Sequence, residues 1–186
     1  MIEQGRLFSR EIAARFVTEG DFEAARQFFI DEKPALTAEV VLRFRGYTRV
    51  LLKQNPDNYG LYFVNPAAPV PFLWFGMAWR PNDPAGTLPA WGVSLEVNGE
   101  HVADFRDNVG GLLESWKAVT AQDEGIRFHD FGRHVELAEW RDFQWLLGQP
   151  DQVLALKRFW AGYLRTLGAA SVPAAGVAFA RGCGIA

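Results

Sequence analysis

The chain has little sulfur chemistry to offer: one cysteine, Cys183, and two methionines in 186 residues. A lone cysteine forms no internal disulfide and no thiolate metal cluster, and the expected setting is therefore reducing and cytoplasmic. No apolar run approaches the roughly 20 residues that cross a bilayer. The N-terminus, MIEQGRLFSREIAARF, mixes acids and bases and lacks the apolar core of a signal peptide. Phosphate-cradling and nucleophile motifs are missing too: there is no Walker loop, no G-x-G-x-x-G and no G-x-S-x-G. Ser94 and Ser115 stand in mid-element without elbow glycines. Glu96 is followed by Val97 and Asn98, so the Glu-x-Lys pair of a strand-borne nuclease lacks its lysine. No assembled catalytic motif is legible, and no cofactor is called for.

What the chain does have is apolar and aromatic bulk. Hydrophobic residues make up 49% and aromatics 14%, a composition that excludes disorder and supplies a core for one domain of this length. The stretch from Pro71 to Gly99 dominates. Phe72 to Trp79 is apolar on both alternating sets of side chains, which predicts a central strand covered above and below. Trp91, Val93, Leu95 and Val97 alternate with Gly92, Ser94, Glu96 and Asn98, which predicts a strand with one buried face. Pro81, Pro84 and Pro89 make the join a loop.

Around this pair the remaining elements fall into place. Residues 8–33 read as two helices, capped by Ser9 and Asp21, stopped by Gly20 and ended by Pro34. Ala38 to Gln54 fits a helix through Leu36, Val40, Phe44, Tyr47 and Leu51, and also alternates as a strand. Its β-branched content and the NPDNYG turn favour a long strand, followed by a hairpin return over Leu61 to Val64. Sequential strands with short joins imply an antiparallel meander. A helix is expected over about 100–121, strands at Ile126 to Glu139 around the Phe131-Gly132-Arg133 turn, and helices over Glu139 to Leu147 and from Asp151 to Gly168. Residues 169–186 read as a mobile tail, or one adding a short edge strand at Val177 to Ala180. The expected fold is α+β: one domain over 1–186, with an antiparallel sheet of five to six strands, covering helices and a helical N-terminal segment over 1–35.

The net charge of −3 is unremarkable, but its distribution is uneven. Arg43, Arg45, Arg49 and Lys53 lie in a stretch without acids, whereas Glu96 to Asp151 carries twelve acids against five bases. If residues 38–54 form a strand, alternation gathers the four cations and Tyr47 on one face. That row makes an anion or partner patch, or an edge kept soluble by charge. The negative chain argues against nucleic acid. Trp79 and Trp91, at strand ends, are candidate cleft or interface aromatics.

The histidines supply the other candidate. His129 and His134 flank Asp130, with Glu136 close by, in HDFGRHVE. A tight hairpin would bring the two imidazoles together, and imidazoles with carboxylates ligate divalent ions. The spacing matches no zinc or iron signature, however, and alternation aims His129 and Asp130 at opposite faces. No metal is assigned on this basis. Two functions follow from different classes. The first is a non-catalytic, soluble binding or protein-interaction domain, with another protein as partner and no membrane. The alternative is a metal-dependent hydrolase using His129, Asp130, His134 and Glu136.

Overall fold

A computed structural model describes residues 5–55, 58–79, 88–120 and 126–174. The chain is α+β: helices cover a six-stranded antiparallel sheet. In order come α1 (Arg10–Thr18), α2 (Glu23–Arg43), β1 (Arg49–Gln54), β2 (Asn58–Asn65), β3 (Ala68–Ala78) and β4 (Ala90–Asn98). A 3₁₀ turn (Gly99–His101) leads into α3 (Val102–Thr120), then β5 (Ile126–Asp130), β6 (His134–Asp142), α4 (Phe143–Leu147) and α5 (Gln152–Ala174). The strand order is β1-β2-β3-β4-β6-β5. The first four strands form the expected meander, and β6 inserts between β4 and β5.

Ser9 caps α1 as its position suggested, its side chain accepting from the Ile12 amide at 3.2 Å. The second helix departs from expectation. It passes through Pro34 and runs on to Arg43, where a strand was expected. A proline inside a helix costs about 3 kcal/mol. Beyond it, however, the apolar stripe of Ala25, Phe28 and Phe29 continues to the fully buried Leu36 and Val40. Burying two such side chains contributes roughly 1.5–3 kcal/mol each. Packing therefore outweighs the local break. The strand begins only at Arg49, so the segment read as one long strand is helix up to Arg43, a connection, and then strand.

Smaller boundaries move as well. Residues 139–142 extend β6 and do not start a helix, and α5 runs through Gly168 to Ala174. Cys183, Val177 to Ala180, Pro81 and Pro84 lie outside the described residues.

The core is aromatic. Trp91 is fully buried, its ring 5.5–5.9 Å from those of Phe8, Phe28, Phe29 and Phe75. Trp160 of α5 stacks on Phe63 and Phe75 at 5.1 and 5.3 Å, and its indole N–H donates to the Leu36 carbonyl. Buried Gln152 ties the start of α5 to the N-terminal segment: its Oε1 accepts from the Leu7 and Phe8 amides, and its Nε2 donates to the Phe8 carbonyl.

All these contacts belong to one face of the sheet. Strand register separates the faces, since paired residues point the same way. Val50, Leu61, Phe63, Leu73, Phe75, Met77, Trp91, Val93, Leu95, Val135 and Leu137 meet the helices. The other set has no described helix on it. The strand over 72–79 is covered on both sides, as its apolar pattern suggested, but among the described residues only one side is covered by helices. Among the described residues, the second face is closed by its own side chains.

Candidate functional site

The helix-free face is a lattice of cross-strand rows. One row runs Lys53, Gly60, Gly76, Gly92, Trp140 from β1 through β4 to β6. The next runs Leu51, Tyr62, Trp74, Ser94, Ala138, Arg127, and a third runs Phe72, Glu96, Glu136, His129. The three aligned glycines leave a trough. The Trp74 ring lies over Gly60 and Gly76, and the Trp140 ring over Gly92, so closely that a Cβ at any of the three would collide with an indole. The two rings meet at 5.6 Å. Tyr62 packs on Phe72 at 5.6 Å, and the Lys53 ammonium sits 5.1 Å above the Tyr62 ring. This paving buries Trp74 and Ser94 and explains why β4, expected to keep one solvent face, is buried from Ala90 to Val97.

Within the third row two carboxylates face each other. Glu96 on β4 is paired with Glu136 on β6, and both are buried. His134, two residues before Glu136 and on the same face, places Nε2 3.6 Å from Glu96 Oε2 and 3.7 Å from Glu136 Oε2. Ser94 Oγ donates to Glu96 Oε1 at 2.5 Å, leaving the second oxygen turned to His134. Burial pushes the Glu96 carboxyl up to about 7, the Glu136 charge adds to this, and the Ser94 hydrogen bond and His134 oppose it. The neighbouring Glu136 carboxylate raises His134, with Glu96 adding to it and burial working against it. Burial together with the Glu96 charge also pushes the Tyr62 phenol up to about 12.

The residues named from sequence are distributed as follows. His134 and Glu136 come together. His129 lies across from Glu136, its Nε2 buried and without a hydrogen bond, its ring stacked on Phe131, which stacks in turn on His134. Asp130 points to the helical face, where its carboxylate takes two hydrogen bonds from Arg106 of α3 at 2.5 and 2.6 Å. Arg49 and Lys53 share the helix-free face, on exposed positions of β1. Arg43 ends α2, bound to Glu39 at 2.7 Å, and exposed Arg45 follows it in the connection. Because α2 runs so far, the row of four cations is not assembled. Tyr47 is a core residue that donates its hydroxyl to the Pro71 carbonyl. Trp91 is core as well, and half-buried Trp79 packs edge-on against Phe22.

Glu96 is the residue that sequence reasoning passed over as a ligand. It stands in the polar set of a strand, which resembles a solvent face, and only register reveals its partner on β6. Trp140 was masked by a helical reading. The alternation of His134, Glu136, Ala138 and Trp140 was the available signal. Away from this face, a groove of about 340 Å³ opens beside α4 and α5, where Arg141, Arg158, Trp145 and Phe159 line it. It contains none of the residues singled out above, and Arg141 is already paired with Glu139.

No protein-family model, curated protein or solved structure matches this chain. The chain is of the α+β class, with a glycine-troughed sheet face that no described helix covers. Among the described residues, no helix is long and apolar enough to cross a membrane.

Proposed function

We propose that this is a non-catalytic binding protein and that another protein docks on the helix-free sheet face. One observation carries the reading: Tyr62, Phe72 and Trp140 remain partly exposed on a face that no described helix covers. Exposed Arg49, Lys53 and Arg127 stand on the same face. Rigid aromatics ringed by arginine are the composition of protein-interface anchors, and the cations select a partner with an acidic rim. A cytoplasmic setting belongs to the same reading and rests on the single cysteine.

The test is affinity capture from the native cells with the wild type and a Tyr62→Ala/Phe72→Ala variant whose melting curve shows that it folds. A stoichiometric protein partner is expected on the wild type, bound at least tenfold more weakly by the variant. Equal recovery on both, or no protein retained, would sink the docking reading.

A metal-dependent hydrolase is the second reading, favoured by the convergence of Glu96, His134 and Glu136. Asp130, committed to Arg106, has no part in it. It requires ion-dependent turnover of an ester or phosphodiester substrate that disappears in Glu136→Gln.

A further inference from the structure

We infer that Glu96, His134 and Glu136 form a binding site for one divalent first-row transition ion, bridging β4 and β6 on the helix-free face. The inference goes beyond the docking reading. It underlies the hydrolase reading without depending on it, because an ion bound without turnover would defeat the hydrolase and leave the site intact.

The geometry comes first. One donor atom from each of the three residues lies within 4.8 Å of the others. The two imidazole–carboxylate separations are 3.6 and 3.7 Å. These are too long for hydrogen bonds. Bonds of about 2.1 Å arranged tetrahedrally give ligand–ligand edges of about 3.4 Å. The two imidazole–carboxylate spacings are therefore those of ligands around a common centre, within a few tenths of an ångström, and the carboxylate–carboxylate edge lies within 4.8 Å.

Charge points the same way. Two carboxylates directly opposed across an antiparallel pair repel one another, and burial strengthens the repulsion. With both carboxylates ionised, as ion binding requires, His134 brings one positive charge at most against two negatives. No described arginine or lysine pairs with either glutamate. A dication supplies the missing charge. Ser94 supplies the outer contact that ligating carboxylates need, holding Glu96 Oε1 so that Oε2 faces the centre.

His129 is a second pointer, independent of the acids. It sits across from Glu136 on the same face, and its Nε2 is buried without a hydrogen bond. Leaving a buried nitrogen unpaired costs free energy, and His129 stands in the row beside the cluster, directly across from one of its carboxylates. One imidazole with two carboxylates, and a second imidazole beside them, suits zinc, iron or nickel. Calcium wants six to eight oxygens, and magnesium retains most of its water. The His134 side chain is 33% exposed, so the ion can enter from solvent and keep water on its remaining positions.

The test is calorimetric titration of chelator-treated, full-length protein with Zn²⁺, repeated on three variants. One Zn²⁺ per chain is expected, with affinity at least tenfold weaker in Glu96→Gln and in His134→Ala. It should be unchanged in His101→Ala, which removes an exposed histidine elsewhere. Glu96→Gln keeps the side chain's shape and relieves the facing charges, so it should melt no lower than the wild type without metal. The wild type and His101→Ala should gain melting temperature as free Zn²⁺ rises, and more than the other two variants. A wild type that takes up no Zn²⁺ at millimolar concentration, or a Glu96→Gln variant that binds as tightly as the wild type, would overturn the inference.

Discussion

Asp130 shows how one residue can look catalytic and serve the fold. Read beside two histidines it resembles a ligand, yet strand alternation turns it to the helical face. There Arg106 spans both carboxylate oxygens and also donates to the Gly132 carbonyl at 2.8 Å. The Gly132 amide donates back to Asp130 Oδ1. This clamp ties the start of α3 to the β5–β6 turn. The Arg106 hydrogen bonds, followed by the Gly132 amide, lower the Asp130 carboxyl to about 2. The folded state thus holds the proton less tightly than the unfolded chain. The clamp's contribution is complete above the unfolded pKa of about 3.9 and is lost as pH falls through about 2. Asp130→Asn should flatten that part of the acid limb, which thermal melts between pH 2 and pH 5 would register. The pair is exposed, so 1 M salt should weaken the difference in the wild type. An unchanged acid limb in the variant would show that the clamp contributes nothing.

At the scale of elements, local rules were followed until packing overrode them. Pro34 and Gly168 are both strong stop signals, and both lie inside helices. In each case the chain beyond the breaker carries residues that the core takes up: Leu36 and Val40 after the proline, Ala170 after the glycine. Gly168 is open to improvement. A Cβ there would meet only the Arg43 side chain at 3.8 Å, an ordinary contact. Alanine is the better helix former by about 1 kcal/mol. Gly168→Ala should therefore raise stability by about 0.5–1 kcal/mol in denaturant unfolding. A loss of stability would mean that α5 needs closer packing at that position than the contact distances indicate.

At the scale of the whole molecule, the glycine row explains how the sheet face that no described helix covers is kept closed. Gly60, Gly76 and Gly92 let two indoles lie flat across three strands, and the central pair brings the β2 and β3 backbones close. A Cβ on Gly76 would come within 3.0 Å of the Tyr59 carbonyl oxygen, the Gly60 Cα and the Trp74 ring. Two of those contacts are backbone and cannot rotate away. Gly76→Ala should cost roughly 2–3 kcal/mol, near the upper end for overpacking, and should shift the Trp74 and Trp140 fluorescence. A near-wild-type melting curve would show that β2 and β3 can part at no cost. How much of this was legible depended on the range of the signal. Ser9 was readable as a cap because its partner, the Ile12 amide, is three residues away. The meander from β1 to β4 was readable because short joins leave adjacent strands little choice but to pair. By itself the sequence determined the α+β class, the central aromatic strands and the opposed directions of His129 and Asp130, all consequences of local periodicity. Only the tertiary structure decided that α2 outruns its proline, that β6 inserts beside β4, and that Glu96 therefore meets Glu136 and His134. Strand order and register depend on contacts between residues some forty positions apart, and no period of two or 3.6 encodes them.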